Sequence, residues 1–365
     1  MQFHQFRVPA LALFALGGCS DPGALFNPKA IEVPAASSAH GPRLSGGGAD
    51  PLLLSWMEKD DRGHSLLYTE YQEGSWSTPR SVVSGIDMFV NWADMPSVQP
   101  MGDRTLAAHW LQRSGDATYA YDVVFTHSQD GGQSWSDPIR PHDDGTQTEH
   151  GFVSMLPDDG GTRLIWLDGR KTSNERTGNP LDTGMTVRTA VINSDSEVTG
   201  DGLLDDLACD CCQTDMAISA SGPIAVYRDR TSEEIRDIAV ARLVDGEWQE
   251  PARLFDDRWE IPGCPVNGPK VVAAGNFVAI AWFTAAGGEP AVKLAMSSDG
   301  GVSFSSITEI ERGHVVGQVG LIPVSESEVA ISWMHKESGQ SPELRVQRVD
   351  LEGHTGDVHV VTRSL

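Results

Sequence analysis

The residues of this chain best suited to chemistry include a cluster of cysteines. Cys209, Cys211 and Cys212 fall within four residues, and Cys264 follows further along the chain. In an oxidising compartment such cysteines form disulfides by default, so we expect a bridge from Cys264 to Cys209 or Cys212. Without Cys19 the chain has four cysteines, and this even number favours two bridges. Two alternatives stay open: a copper or zinc site completed by a histidine such as His150, and a redox-active pair.

Carboxylates and guanidinium groups form a second set, concentrated in short polar stretches between apolar runs. Such groups bind polar ligands through charge-assisted hydrogen bonds. The candidates for chemistry are Asp94, Glu149, Glu234 and Tyr121, and those for ligand binding are Arg43, Arg170, Arg228, Arg230, Arg236, His150 and Asn267.

A repeated apolar pattern must position these residues. Six apolar runs each carry an aromatic residue near their end, at spacings of 51 to 61 residues; the aromatics are Trp56, Trp110, Trp166, Tyr227, Trp282 and Trp333. A repeat of this length indicates an array or a propeller, and 38 glycines with 21 prolines indicate many turns. We therefore predict an all-β, six-bladed β-propeller over residues 41–365, closed by pairing of a strand near Ile31–Val33 with the last blade.

This fold predicts where the polar stretches meet. The aromatic runs become the second strand of each blade, so the loops that enter the innermost strands share one face with the ends of the second strands. The candidate residues named above lie in these stretches. We expect them to form a ligand site around the central channel.

Two turns share the pattern Ser-x-Asp-Gly-Gly-x-Ser-aromatic at matching positions of the repeat. In such a turn the Asp caps backbone N–H groups, the glycines permit positive φ, and the aromatic tucks under the hairpin. The structural residues are Ser128, Asp130, Gly132 and Trp135 in one turn, and Ser297, Asp299, Gly301 and Phe304 in the other.

With these Asp-boxes the chain resembles the sialidase-like (BNR, or Asp-box, repeat) six-bladed propeller superfamily over about residues 40–365. The resemblance implies Asp94 as acid/base and Tyr121 with Glu149 or Glu234 at the anomeric carbon. It also implies a carboxylate clamp of Arg43, Arg228 and Arg230, with Arg170 and Arg236 as further candidates.

The chain departs from the sialidase pattern at two points. Pro42-Arg43-Leu44 stands where the family has Arg-Ile-Pro, and no tyrosine follows Tyr227, although the family's nucleophile comes from the last blades. These departures argue against an ordinary sialidase.

The N-terminus is typical of an exported lipoprotein. Arg7 precedes a short apolar run that ends in Leu16-Gly17-Gly18-Cys19, which resembles a bacterial lipobox. We expect residues 1–19 to be a signal peptide, Cys19 to be acylated, and residues 20–40 to be a flexible tether. Ser20 after the cysteine favours the outer membrane, so the predicted location is the bacterial cell envelope, with the lipid bilayer as a partner.

Composition narrows the function further. The net charge is −24, which disfavours binding to nucleic acid. The leading hypothesis is a glycan- or peptide-binding or assembly module with an axial Arg/Asp/Cys site, whose partner is an anionic glycan or an envelope protein. The alternatives are an exo-glycosidase of the sialidase type and a metal or redox protein centred on the cysteines. We expect no cofactor, with copper or zinc at the cysteine cluster as the alternative.

Overall fold

The computed structural model describes residues 29–173, 179–304 and 307–363 and forms a six-bladed β-propeller. Cys19 and residues 20–28 of the predicted tether lie outside these residues. Blade 1 contains β1 (His40–Ser45), β2 (Leu52–Asp60), β3 (Gly63–Gln72), β4 (Ser75–Trp76) and β5 (Arg80–Ile86). Blade 2 contains β6 (Ser97–Pro100), β7 (Leu106–Arg113) and β8 (Tyr121–Ser128). Blade 3 contains β9 (His150–Asp158), β10 (Gly161–Asp168), β11 (Met185–Asn193) and β12 (Val198–Ala208).

The second half of the ring repeats this antiparallel arrangement. Blade 4 contains β13 (Asp215–Ser219), β14 (Gly222–Arg228), β15 (Ile238–Val244), β16 (Glu247–Trp248) and β17 (Ala252–Arg253). Blade 5 contains β18 (Lys270–Ala274), β19 (Phe277–Thr284), β20 (Ala291–Ser297) and β21 (Thr308–Arg312). Blade 6 contains β22 (Val315–Ser325), β23 (Glu328–His335), β24 (Glu343–Asp350) and β25 (His359–Arg363).

Helical structure is limited to short connections. One α-helical turn covers Pro180–Thr183, and 3₁₀ turns cover Arg170–Ser173 and Ala286–Gly288. Across the described ranges, no helix has the length and apolar character that crossing a bilayer requires.

The six repeat aromatics lie in the second strands β2, β7, β10, β14, β19 and β23, as predicted, and all are at least 98% buried. Several of the indoles also have a polar partner. The Trp166 N–H donates to Asp168 at 2.9 Å and the Trp282 N–H to Asp257 at 2.7 Å. Large aromatic rings thus fill the core between blades, and the indole N–H groups of these repeat tryptophans are hydrogen-bonded except that of Trp110, which is buried without a partner in the described chain.

The first Asp-box turn has the hydrogen bonds that its sequence predicts. The Asp130 carboxylate accepts the Ser134 backbone N–H at 3.0 Å and the Ser134 hydroxyl at 2.6 Å, and the Gly132 N–H donates to the Ser128 hydroxyl at 2.8 Å. Trp135 packs edge-on against Tyr68 of blade 1. The turn therefore also fastens blade 2 to its neighbour.

The second Asp-box repeats this geometry in blade 5. Asp299 accepts the Ser303 backbone N–H at 2.9 Å, and the Gly301 N–H donates to Ser297 at 3.0 Å. Phe304 packs against the core between blades 4 and 5.

The prediction for ring closure was wrong. Ile31–Val33 forms no strand, and β25, from the C-terminal end of the chain, already pairs with β24 in blade 6. The segment before β1 instead runs along blade 1, where the Ala36 N–H donates to Glu58 at 2.8 Å. Blade 6 thus takes its outer strand from its own repeat.

Candidate functional site

A cleft of about 460 Å³ opens on the face where loops enter the innermost strands. Glu149, from the loop before β9, lines it together with Asp210, Arg230 and Glu234 from blade 4. Sequence reasoning placed these four residues on one face, and the structure brings them to one cleft.

Behind this cleft a tyrosine hydroxyl lies between two carboxyl groups. Tyr121, at the start of β8, donates to Glu149 Oε1 at 2.7 Å and lies 3.3 Å from Asp94 Oδ2. Asn91 orients the Asp94 loop, because its side-chain oxygen accepts the N–H groups of Ala93 and Asp94, each at 2.7 Å. We call Asp94, Tyr121 and Glu149 the carboxyl–tyrosine trio.

Burial controls protonation in the trio. Asp94 is 1% exposed and Tyr121 is fully buried, stacked on Phe89 at 4.0 Å between ring centroids. Burial raises the pKa of Asp94 to about 7 and the pKa of Glu149 to about 7. It also raises the pKa of Tyr121 well above 10. The phenol therefore keeps its proton and can donate it to only one carboxylate, so the trio favours a state in which Asp94 is protonated.

The backbone beside Asp94 is unusually constrained. A side chain at Gly151 would place Cβ 1.9 Å from Asp94 Oδ2, and the next residue, the buried Phe152, has φ +55°. Positive φ is uncommon for an aromatic residue and marks a strained position. Sequence reasoning missed both residues, since the only available signal was the glycine that follows His150.

Two of the predicted arginines form ion pairs near the cleft. Arg230 donates to both oxygens of Glu234 at 2.6 and 3.1 Å and to Asp210 at 3.1 Å. Arg236 donates to Glu234 at 2.9 Å and to Cys209 Sγ at 3.3 Å. These contacts hold the pKa of Glu234 below its usual value despite partial burial. Glu234 is thus a partner for two arginines and makes no hydrogen bond to Tyr121 within the described ranges.

Arg228 occupies a structural position. It is 1% exposed, it donates to the carbonyls of Asn267, Arg236 and Phe283, and its guanidinium lies 4.9 Å from the Trp259 ring centroid. The Asn267 side chain is likewise used internally, since it bonds the backbone of Pro265, Val316 and Gln318. Both residues connect loops of neighbouring blades.

Arg170 and His150 belong to a buried polar network. Arg170 makes a bidentate contact with Asp168 at 2.7 and 2.8 Å, and His150, fully buried, contacts Asp144 at 3.1 Å. His142 stacks on His150 at 3.9 Å, and burial lowers the pKa of His142 to about 4. His142, His150 and Asp122 offer ligand atoms within 4.8 Å of one another. This network supports the loop that presents Glu149.

Arg43 is the predicted clamp residue with the fewest bonds to other groups of the described chain. It lies in β1 and is close enough to lower the pKa of Asp94 electrostatically. No ion pair joins it to any carboxylate of the described chain. The predicted arginines therefore do not form a free triad, because the other four already bond carboxylates or carbonyls.

The cysteines pair differently from the prediction. Cys211 and Cys264 form the disulfide between the loops that enter blades 4 and 5, while Cys209 and Cys212 are buried free thiols with their sulfurs 3.0 Å apart. A staple between these blades is therefore present, but its blade 4 partner is neither Cys209 nor Cys212, and a second bridge is absent from the described residues. The other two cysteines point into the interior, where Arg228 and Arg236 lie.

Comparisons with known proteins identify the fold only. No family model and no curated protein matches the chain. The fold is that of known propellers. AofleA from Arthrobotrys oligospora is 9% identical with a TM-score of 0.50, over 89% of this chain and 88% of that one. A Hadza microbial sialidase is 13% identical with a TM-score of 0.47, over 81% of this chain and 63% of that one. An ulvan lyase bound to an oligosaccharide is 10% identical with a TM-score of 0.49, over 86% and 78%. The chain thus spans less than two thirds of that sialidase.

Proposed function

We propose that this protein is a glycan-active propeller whose carboxyl–tyrosine trio performs acid–base chemistry of the exo-glycosidase type. The observation that supports it best is the Tyr121 hydroxyl held between Asp94 and Glu149, with Glu149 lining an open cleft. Glycosidases need one carboxyl group that is protonated and one that is ionised near neutral pH. Burial and the single phenol proton favour that division here.

The two carboxyl groups differ in their access to the cleft. Both carboxyl oxygens lie within 3.3 Å of the same phenol oxygen. Only Glu149 lines the cleft, whereas Asp94 is 1% exposed. In this proposal Glu149, the member that reaches the cleft, meets the substrate. Tyr121 couples the protonation of Asp94 to that of Glu149, because its one hydroxyl proton can be donated to only one of the two carboxyl groups at a time.

The charge of the cleft favours an uncharged sugar over a sialoside. Glu149, Asp210 and Glu234 line it with Arg230, whose guanidinium already contacts two carboxylates. A carboxylate ligand would add a like charge to this cleft, whose arginine is already paired. We therefore propose neutral glycans as ligands in place of the anionic glycan expected from the arginine count.

Exposed aromatic rings supply apolar surface near the trio. Trp92 is 70% exposed and stands two residues before Asp94, and Tyr119 is 59% exposed and stands two residues before Tyr121. Large exposed aromatics in site loops are typical of ligand contacts. They are suited to pack on the apolar face of a sugar ring.

Turnover of fluorogenic glycosides by the purified full-length protein tests the proposal. We expect hydrolysis of a neutral glycoside, a much smaller rate with a sialoside, and a loss of about 10²- to 10⁴-fold in kcat for Glu149→Gln. Glu73→Gln, an exposed carboxylate in a turn of blade 1, is the control. Glycan binding that survives Glu149→Gln, without turnover in the wild type, would support the binding-module hypothesis instead. The absence of both glycan binding and turnover would overturn the proposal.

The cellular setting is a further part of this proposal. Acylation at Cys19 would attach the propeller to the bacterial envelope, with the outer membrane as the expected address. Metabolic labelling with a fatty acid tests it: label should enter the wild type and be absent from Cys19→Ser. Equal labelling of both proteins would refute lipid attachment at this residue.

A further inference from the structure

The four cysteines form two layers at the boundary of blades 4 and 5. Cys209 and Cys212 are at least 99% buried and unbonded, whereas the disulfide Cys211–Cys264 reaches solvent through the exposed Cys264. The sulfur atoms of Cys209, Cys211 and Cys212 lie within 4.8 Å of one another. A buried dithiol thus lies within 4.8 Å of one sulfur of an accessible disulfide.

Charge distinguishes the two buried thiols. Arg236, itself 2% exposed, donates to Cys209 Sγ at 3.3 Å, and the buried Arg228 has no described carboxylate within ion-pair distance. A buried cation without an acidic partner favours a nearby anion. The hydrogen bond from Cys212 and the charges of both arginines lower the pKa of Cys209 to about 6, while burial raises the pKa of Cys212. Cys209 is therefore the nucleophile and Cys212 the thiol that resolves it.

We propose that these cysteines form a thiol–disulfide relay, in which the buried Cys209/Cys212 dithiol exchanges two electrons with the accessible Cys211–Cys264 disulfide. The accessible pair then reacts with a thiol or disulfide of a partner molecule. The relay does not require the glycan chemistry proposed above, although both involve the loop that carries Asp210.

The exchange is balanced within the chain. In the first step the Cys209 thiolate attacks Cys211 Sγ, the Cys209–Cys211 bond forms, and Cys264 leaves as a thiolate that takes a proton from water. In the second step Cys212 loses its proton and attacks Cys209 Sγ, so that Cys211 leaves as a thiolate and takes up a proton. The products are a Cys209–Cys212 disulfide and an accessible Cys211/Cys264 dithiol, and no external oxidant is consumed.

The sequence positions suit this route. Cys209 and Cys212 have the Cys-x-x-Cys spacing of thiol–disulfide oxidoreductases. A direct bond between the adjacent Cys211 and Cys212 is geometrically unfavourable. Cys209 is therefore the residue through which electrons pass from the buried layer to the surface.

Thiol mapping of the full-length protein equilibrated in glutathione redox buffers tests the relay. Without glutathione, Cys209 and Cys212 should react with N-ethylmaleimide only after denaturation. Because the exchange consumes no external oxidant, both with and without glutathione a population should be found in which Cys211 and Cys264 react in the folded protein and peptide mass spectrometry detects a Cys209–Cys212 disulfide. Reduction of Cys211–Cys264 with Cys209 and Cys212 still free at every ratio would overturn the proposal, as would a stoichiometric metal retained on these two sulfurs.

Two variants separate the relay from simple reduction of the surface disulfide. Cys212→Ser should accumulate a Cys209–Cys211 disulfide in place of the Cys209–Cys212 product. Cys209→Ser should lose the internal exchange, so that Cys264 reacts only through external glutathione. The same proportion of reactive Cys264 in Cys209→Ser and wild type, with both folded by circular dichroism, would contradict the relay.

Discussion

Replacing Asp94 by Asn tests the protonation state on which the proposed chemistry depends. Burial raises the pKa of Asp94 from 3.8 to about 7. Since the folded-state value lies above the unfolded one, this group's contribution to stability is fully present below about pH 4 and is lost as the pH rises through 7. At about 1.4 kcal/mol per unit of pKa, the loss is at most about 4 kcal/mol. Asn cannot ionise, so the variant escapes this loss.

Urea unfolding from pH 4.5 to 8.5, followed by tryptophan fluorescence without reductant, measures the effect. Between pH 4.5 and pH 8.5 the free energy of unfolding of Asp94→Asn should rise by about 2–4 kcal/mol relative to that of the wild type. Any cost of the substitution that does not depend on pH leaves this difference unchanged. Glu149→Gln serves as a second arm, because the Glu149 charge helps to raise the pKa of Asp94. If wild type and Asp94→Asn showed parallel pH profiles, Asp94 would be ionised throughout and the proposed division of protonation between Asp94 and Glu149 would fail.

Two further predictions concern the frame that holds the site. Gly132→Ala should lower the free energy of unfolding by about 2 kcal/mol or more, because its Cβ would lie 1.8 Å from the Tyr68 hydroxyl at φ +79°. Gly74→Ala, at φ +90° with open space around it, should cost only about 1 kcal/mol, and equal urea midpoints for the two variants would contradict this reasoning. Arg228→Lys should destabilise the fold by about 2–4 kcal/mol, because buried carbonyls lose N–H donors of the planar guanidinium group. The control Arg62→Lys, at an exposed position, should change the urea midpoint little. A similarly small shift for Arg228→Lys would refute the structural role of Arg228.

The fold could be predicted because its signal is repeated along the chain. Each second strand carries its aromatic at the same phase, so six weak local patterns support one another. The Asp-box turns depend on contacts within five residues of each other, such as those of Asp130 with Ser134. Patterns of this kind involve residues that are close in sequence, and the contacts that they predict are present in the fold.

The site was harder to predict from the sequence because the partners of its side chains are not determined by short sequence patterns. The sequence placed Arg230, Glu234 and Asp210 on one face, but it contained no sign that they bond each other and thereby neutralise the expected clamp. Nothing in the spacing distinguishes Cys211 from Cys209 as the partner of Cys264; the orientation of each side chain after the loop folds decides it. The prediction for ring closure was wrong for a similar reason, because the outer edge of blade 6 is filled by the pairing of β24 with β25, which the sequence pattern did not indicate.

The carboxyl cleft and the cysteine layer share one loop, which has a consequence for any assay. Asp210 lies between Cys209 and Cys211 in the chain, contacts Arg230 at 3.1 Å, and its charge helps to raise the pKa of Glu149. Transfer of the disulfide to Cys209–Cys212 would free Cys211 from blade 5 and change the bonding on both sides of Asp210. Because Glu149 protonation depends on that carboxylate, glycosidase measurements should be made with the cysteines fully mapped. The resting form, with Cys211–Cys264 closed, is the one whose cleft geometry is described above.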